Sequence, residues 1–471
     1  MPSDFDLVVI GAGPAGEKAA AQAAYIGKRV AVIERRPTPG GSLTSGVVAS
    51  KTIREAAAYL TGFRRRDVYG VAPLPDPRAA IDAVRTRSDA VVHVIESRAA
   101  DNLVRHGVEF IEGSAQLAGP GHVVVDLRAG GSRTLTTDVV LIATGSRPYH
   151  PPGLPFEHPN VLDGDEAALL DRAVPHVLVV GGGAVGCEYA SILTALGSRV
   201  TLVDVGHRLI SYLDEDLSVH LERVFAGQGV RLLRAPRDQI RIDGGNDGLR
   251  ARIGTADELR PDKVIVAMGR VGNVEGLGLE AAGVATDERG RILVDATFQT
   301  TSAGVYAAGD VVGPPALASV SMEQARVAVC HAFALPFKTA VDAVPPLGVY
   351  TLPELASVGA SERSARDAGV DCAIGRATFS GNVRATIAGD TEGFLKLVFR
   401  RDDRRLLGVH IFGDHAVDLV HHGQAVLHFG GSIDYFIDAT YNVPTLTEAY
   451  KYAAYDGLAR LSQRPTITSF A

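Results

Sequence analysis

The sequence predicts an α/β fold in which two strand-helix-strand units of the same design precede a third region of mixed α and β structure. The first unit is "DLVVIGAGPAGEKAAAQAAYIGKRVAVIE", where a buried strand runs through a glycine-rich turn into an alanine-rich helix and a strand ending in Glu34. The second is "HVLVVGGGAVGCEYASILTALGSRVTLVD", which ends in Asp204. The same number of residues separates Gly16 from Glu34 and Gly186 from Asp204. Each unit therefore predicts a Rossmann-like domain with a parallel sheet.

The glycine-rich turns are typical of dinucleotide-binding sites. In the first, Gly11 permits the tight turn, Gly13 lets a pyrophosphate approach the backbone, and Gly16 allows close packing of helix on strand. The terminal acid is placed to bind a ribose diol, and the helix N-terminus offers free N–H groups to an anion. The predicted binding residues are Gly11, Gly13, Gly16 and Glu34 in the first unit and Gly181, Gly183, Gly186 and Asp204 in the second.

Three further segments extend these units. "VVLIATGSRP" (139–148) and "VIVAMGRVGN" (264–273) each read as a strand that closes one of the two sheets. "GVYAAGDVVG" places Asp310 at the end of a strand over Val305–Ala308, where a carboxylate can bind a polyol, and a helix follows it. Between the units, residues 85–102 predict a helix and residues 108–137 a small β-meander.

Composition narrows the class of protein. The chain has 471 residues, enough for about three domains, and a formal net charge of −7, which disfavours a nucleic-acid partner. Its three cysteines are far apart and fit neither a disulfide framework nor a metal site. No apolar run approaches the ~18 residues of a membrane span, and too few residues precede the first unit for a signal peptide. We therefore expect a cytoplasmic protein with no metal.

In this order, the motifs resemble the pyridine nucleotide-disulphide oxidoreductase family of the glutathione reductase and lipoamide dehydrogenase type. The resemblance implies FAD in the first unit, NAD(P) in the second, and a homodimer formed through a C-terminal α+β dimerization domain. It also implies domain limits of 1–150 together with 273–342 for FAD, 151–272 for NAD(P), and 343–471 for dimerization.

The same resemblance assigns individual residues. Lys51 matches the family's lysine near flavin N5, and Glu188 matches the glutamate that pairs with it, so both are predicted to be catalytic. The further cofactor-binding positions are Gly41, Ser42, Lys51, Ala115, Thr144, Gly145, Arg208, Gly269, Gly309, Asp310 and Ala318.

Two departures concern thiol chemistry. Disulfide-reducing members resemble GGTCLNVGCIPSK, whereas this chain has "GGSLTSGVVASK", one residue shorter, with Leu43 and Val47 near the cysteine positions. They also resemble HxHPTxSE near the C-terminus, where "YNVPTLTE" puts Val443 at the position of the acid-base histidine. Aliphatic Val443 cannot move a proton. We expect no disulfide relay, and a structural role for Glu448 in capping or bracing the turn.

Long segments such as "VYAAGDVVGPPALASVSMEQAR" are similar to the soluble pyridine nucleotide transhydrogenases of that family. The leading hypothesis is therefore hydride transfer from NAD(P)H to FAD and on to NAD(P). Alternatives are an NAD(P)H oxidoreductase acting on a quinone, a dye or oxygen, and a catalytically quiet flavoprotein scaffold. Asp204 favours NAD(H), while His207 and Arg208 are close enough in sequence to reach the 2′-phosphate of NADP(H).

Overall fold

The structure is a computed structural model that describes residues 2–62, 70, 81–169, 174–245, 248–255 and 258–462. The chain divides into two compact units. The first comprises Met1–Thr52, Thr86–Tyr149 and Gly269–Asp342, and the second Ile53–Arg85, His150–Met268 and Ala343–Ala471. Among the helices that the structure describes, none combines the length and the apolar character needed to cross a membrane.

The first unit is a parallel sheet extended by a meander. Numbered along the whole chain, its strands are β1 (Phe5–Ile10), β2 (Val30–Glu34), β3 (Glu109–Gly119), β4 (His122–Leu127), β5 (Ser132–Ile142), β6 (Ser146–Pro148), β14 (Arg270–Gly272) and β15 (Val305–Ala307). The helices that lie wholly or partly in it are α1 (Pro14–Tyr25), α2 (Ala49–Thr61), α3 (Ile81–Arg105) and α6 (Ala318–Ala332). Strand β1 pairs in parallel with β2 and β5, and β4 joins β3 and β5 antiparallel, which confirms the predicted meander.

The second unit contains a parallel sheet, a hairpin and an antiparallel sheet. Its strands are β7 (Val161–Asp163), β8 (His176–Val180), β9 (Arg199–Asp204), β10 (Arg231–Arg234), β11 (Ile240–Gly245), β12 (Gly248–Ile253), β13 (Lys263–Val266), β16 (Leu347–Val349), β17 (Leu355–Gly359), β18 (Cys372–Thr378), β19 (Phe394–Arg400) and β20 (Leu406–Phe412). Its further helices are α4 (Ala184–Ala195), α5 (Glu215–Gly227), α7 (Glu362–Asp367), α8 (Val383–Ala388), α9 (Ala416–His428), α10 (Asp434–Asp438) and α11 (Ala449–Leu461).

Sheet order explains how the glycine-rich turns are placed. The parallel sheet of the second unit runs β10-β9-β8-β13-β7, with β8 at its centre, as β1 is central in the first unit. Strand β5 pairs in parallel with β1, and β13 pairs in parallel with β8, as the sequence predicts for strands that close the two sheets. In open α/β sheets, ligands bind at the carboxyl ends of such strands, where both glycine-rich turns lie.

The apolar residues of the strands and helices form the buried core, as their hydrophobic pattern predicts. Val8 and Val9 of β1 and Val179 of β8 are fully buried. Val9 packs against α1 on one face of its sheet, whereas Val8 packs on the other face against the meander. Val179 packs against α4 and α5. Alanines of α1, among them Ala19 and Ala23, are also fully buried, so that helix approaches its sheet closely. The antiparallel sheet β16-β17-β20-β19-β18 packs against α9 and α11. The predicted α/β class, with two Rossmann-like regions and a C-terminal α+β region, is confirmed.

Candidate cofactor sites

The two glycine-rich turns share one backbone geometry. Gly11 has φ +103° and Gly181 φ +116°, values that favour glycine. A Cβ at Gly11 would lie 2.4 Å from the carbonyl oxygen of Ala143, and a Cβ at Gly181 2.3 Å from that of Ala267. Each first glycine therefore serves both the turn and the close approach of the adjacent strand end.

The third glycines let the helices pack onto these turns. A Cβ at Gly16 would lie 1.9 Å from the carbonyl oxygen of Gly11, and a Cβ at Gly186 1.8 Å from that of Gly181. Neither position can hold a side chain without moving the helix away from the strand. This agrees with the packing role that the sequence predicts for both residues.

The middle glycines leave space in front of the helix N-termini. Gly13 and Gly183 are the N-cap residues of α1 and α4, and no side chain caps either helix. A Cβ at Gly13 would have only the Gly41 Cα near it, at 3.8 Å, and a Cβ at Gly183 would meet nothing within 4 Å. Exposed N–H groups at a helix N-terminus suit a pyrophosphate, so the residues present fit a dinucleotide in both units.

The terminal acids are oriented by the same turns. Glu34 Oε2 accepts a hydrogen bond from the N–H of Ala12 at 2.8 Å, and Asp204 Oδ1 accepts one from the N–H of Gly182 at 3.0 Å. Among the described residues, none donates a hydrogen bond to Asp204 Oδ2. This second oxygen is therefore available to a ribose hydroxyl, the chemistry predicted for it.

A chain of polar contacts within the first unit connects Asp310 with Ser42. Ser146 Oγ donates to Asp310 Oδ2 at 2.5 Å, and Arg270 Nε donates to Ser146 Oγ at 2.8 Å. Arg270 Nη2 reaches Ser42 Oγ at 3.4 Å. Sequence reasoning missed Ser146 and Arg270, although each directly follows a glycine that it had selected, Gly145 or Gly269.

The remaining predicted positions lie on strand ends, turns and a helix start of the first unit. Ala115 is on β3, where it pairs with Val125 of β4, and Ala318 is the first residue of α6. Thr144 Oγ1 donates to the carbonyl oxygen of Asn273 at 2.7 Å, which ties the turn after β5 to the strand end at β14. Positive φ angles occur at four more predicted positions, Gly41 (56°), Gly145 (66°), Gly269 (104°) and Gly309 (86°).

The predicted catalytic residues both lie in helices. Lys51 is half-buried near the start of α2 in the first unit. Glu188 lies on α4 in the second unit, where it is buried and its Oε1 accepts a hydrogen bond from the N–H of Tyr350 at 2.9 Å. The backbone therefore holds the carboxylate of Glu188 in one orientation.

The segment that departs from the cysteine pattern is helical. Leu43–Val48 forms a π-helical turn that continues directly into α2. Thr44 is fully buried against Gly40, and its hydroxyl donates to the carbonyl oxygen of Gly41 at 3.1 Å. This turn leads from Gly41 and Ser42 directly into α2.

The three cysteines, Cys187, Cys330 and Cys372, are buried and unpaired with one another. Burial raises the pKa of the Cys187 thiol well above its ordinary value, since desolvation penalises the thiolate. Cys330 lies on α6 and Cys372 on β18. A neutral, buried thiol is a poor nucleophile.

The C-terminal turn corrects the expectation that Glu448 caps a helix. Glu448 occupies the N-cap position of α11 but makes no capping hydrogen bond, because its backbone is already helical (φ −55°, ψ −24°) and not extended as a capping residue requires. The turn is held instead by Thr445, whose hydroxyl donates to the carbonyl oxygen of Asn442 at 2.8 Å. Asn382 Nδ2 also donates to the carbonyl oxygen of Thr445 at 3.0 Å. Val443 is exposed.

Comparison with known proteins agrees with this geometry. Residues 5–332 match the family described as pyridine nucleotide-disulphide oxidoreductase, and residues 345–454 match its dimerisation domain. A soluble pyridine nucleotide transhydrogenase of Mycobacterium bovis is 38% identical over 97% of this chain and 98% of its own length. A protein of the same name from Pectobacterium atrosepticum is 36% identical with the same coverage.

A solved structure has the same fold. The HOCl-induced flavoprotein disulfide reductase RclA of Escherichia coli superposes with a TM-score of 0.86 and 25% identity. The alignment covers 96% of this chain and 99% of that protein.

Proposed function

Because this chain belongs to the pyridine nucleotide-disulphide oxidoreductase family, we propose that it transfers hydride between NADPH and NAD as a transhydrogenase without a redox disulphide. It is an FAD-dependent enzyme that uses a pyridine nucleotide. The transhydrogenase assignment is supported by relatives of that name that align with nearly the full chain. The matched dimerisation domain supports a homodimer.

The observation that carries the proposal is the placement of the thiols. Two cysteines separated by four residues would be needed for the family's relay, but this sequence has Leu43 and Val47 near those positions. The nearest in sequence of the three buried cysteines, Cys187, lies on α4 beyond the second glycine-rich turn. With Val443 in place of a proton-transferring histidine, the chain has the groups for hydride transfer but not those for thiol exchange.

When bound, FAD supplies a group that accepts a hydride from one nicotinamide and returns it to another. The chain's own residues bind and orient the two dinucleotides. Gly13 and Gly183 expose helix N-termini to the pyrophosphates, and Glu34 and Asp204 bind the ribose hydroxyls. We assign catalytic roles to Lys51, as a cation of the first unit, and to Glu188, as an oriented carboxylate of the second.

The test measures anaerobic hydride transfer from NADPH to 3-acetylpyridine adenine dinucleotide, an NAD analogue whose reduced form absorbs at a distinct wavelength. We expect rapid transfer and no NADPH-dependent reduction of lipoamide or glutathione disulfide. Turnover with a quinone but poor transfer would replace the proposal with the oxidoreductase alternative. A protein that binds FAD but is not reduced by either nucleotide would favour the scaffold alternative.

Replacing Cys187, Cys330 and Cys372 together by alanine or serine is expected to leave kcat for this transfer within about twofold of wild type. Cys187 is fully buried, so its removal lowers stability by about 1 kcal/mol through lost packing. Thermal unfolding and FAD content identify the folded fraction. Loss of transfer in a folded, fully flavinylated variant would demonstrate a thiol role and refute the assignment.

Asp204→Asn is expected to shift nucleotide preference toward NADPH by about 5- to 150-fold in kcat/KM. Asparagine keeps an oxygen for the N–H of Gly182, which Asp204 binds at 3.0 Å, but it removes the charge that repels a 2′-phosphate. The measurement is kcat/KM for NADH and for NADPH. Parallel losses for both nucleotides would mean that Asp204 only shapes the turn.

A further inference from the structure

Glu222 holds two arginines beside the ribose-binding acid of the second unit. Glu222 lies on α5, and its Oε2 accepts a hydrogen bond from Arg208 Nη1 at 3.0 Å. Its Oε1 accepts hydrogen bonds from Arg234 Nη2 at 2.8 Å and from the N–H of Leu209 at 2.9 Å. The Glu222 side chain is only 16% exposed. One carboxylate thus lies between two guanidinium groups.

Both arginines lie near the end of β9, where Asp204 is located. Arg234, on β10, is the register partner of Asp204 on β9, and directly paired residues of adjacent strands project from the same face of a sheet. Arg208 follows Asp204 in the turn after β9. Its Nε atom is buried and has no hydrogen-bond partner among the described residues. Unused donor capacity therefore lies close to the predicted ribose site.

The chemistry of this cluster suits a phosphate. A guanidinium binds carboxylates and phosphates through the same paired N–H geometry. A phosphate monoester carries about −1.5 to −2 charges near neutral pH and three acceptor oxygens, against one charge and two oxygens for a carboxylate. The Glu222 carboxylate therefore pairs with two guanidinium groups whose geometry also suits a more highly charged anion.

We propose that Arg234 acts with Arg208 to bind the phosphate on the 2′-hydroxyl of the adenosine ribose, and that Glu222 pairs with both arginines when the nucleotide lacks that phosphate. The inference rests on the proposed function, since it places a nucleotide ribose at Asp204. This arrangement explains how one site binds both nucleotides. Glu222 pairs with the arginines when NAD is bound, and the 2′-phosphate replaces Glu222 as their partner when NADP is bound.

The experiment measures binding of adenosine 2′,5′-bisphosphate and adenosine 5′-monophosphate to the FAD-loaded protein by titration calorimetry. Arg234→Met is expected to weaken binding of the bisphosphate about tenfold and binding of the monophosphate less than about twofold. Glu222→Gln is expected to strengthen binding of the bisphosphate about fivefold, because the arginines no longer have to break ion pairs with a carboxylate before they bind the phosphate. The matched control is Arg231→Met, because Arg231 lies on the same strand but projects from the opposite face.

Equal effects of Arg234→Met on both ligands, or no effect on either, would overturn the proposal. If Glu222→Gln loses FAD or unfolds, the contrast between Arg234→Met and Arg231→Met decides the question alone. Failure of the proposed function gives a different result: a protein that transfers no hydride would still show the bisphosphate-specific difference if Arg234 recognises the phosphate.

Discussion

Gly16→Ala is expected to reduce bound FAD to less than about a tenth of the wild-type content, because the added Cβ forces α1 away from β1 at a cost of about 1–3 kcal/mol or more. The Cβ would lie 1.9 Å from the carbonyl oxygen of Gly11 and 3.1 Å from Val9 Cγ1. Neither the backbone oxygen nor the buried valine can move without displacing the strand. The N–H groups that we propose bind the pyrophosphate would move with the helix.

Two further glycines make this prediction specific. Gly13→Ala is expected to fold with the thermal midpoint of FAD-free wild type but to lose FAD affinity, since its Cβ meets no protein atom closer than 3.8 Å and occupies the space predicted for the pyrophosphate. Gly227→Ala is the control for the substitution itself, because a Cβ there meets nothing within 4 Å. Flavin absorbance relative to protein absorbance measures FAD content. Wild-type FAD content in Gly16→Ala would contradict the packing argument.

The parts of the sites that sequence predicts best are those encoded within short segments. Gly11, Gly16 and Glu34 are positioned by one strand-helix-strand unit, so local periodicity and glycine spacing are sufficient to identify them. The same holds for Gly181, Gly186 and Asp204. These predictions depend on backbone requirements that the structure satisfies in the same way at both turns.

What sequence did not predict depends on contacts between distant segments. Arg270 contacts Ser146 across a separation of 124 residues, so no spacing in the sequence indicates the pair. Arg208 could be placed near Asp204 by proximity in sequence, but its partner Glu222 lies on the following helix and Arg234 on the strand after it. Side-chain partners of this kind follow from the packing of α5 on the sheet.

A buried ion cluster in the second unit also joins segments that are distant in sequence. Lys396 Nζ donates to Asp214 Oδ1 at 2.9 Å and to Glu362 Oε2 at 2.9 Å. The Lys396 and Asp214 side chains are 2% and 1% exposed. Other titratable or charged groups facing this pair are Asp216, His410 and Arg376.

The pKa shifts define when the cluster stabilises the fold. Burial opposes the charge on both residues. Attraction to His410 and Lys396 nevertheless lowers the pKa of Asp214 below 3.8. Attraction to Asp214 and hydrogen bonds to the surrounding carboxylates raise the pKa of Lys396 above 10.5. The contribution of Asp214 is present above its unfolded pKa and is lost as pH falls through the lower folded value. That of Lys396 is present below its unfolded pKa and is lost as pH rises through the higher folded value. The cluster is therefore fully effective between about pH 4 and pH 10.

Lys396→Met is expected to lower the free energy of unfolding by about 3–5 kcal/mol near neutral pH, because it leaves the Asp214 carboxylate buried without its cation. The loss should shrink as pH approaches about 5, since the carboxylate, no longer paired, takes up a proton more readily. Urea unfolding followed by circular dichroism at both pH values measures the difference, and Asp214→Asn in the same chain should recover part of it. The matched control is Lys338→Met, which removes a partly exposed ion pair with Glu323 and should cost less than about 1 kcal/mol. An equal loss at both pH values would show that Lys396 stabilises the fold through the packing of its aliphatic stem and not through its charge.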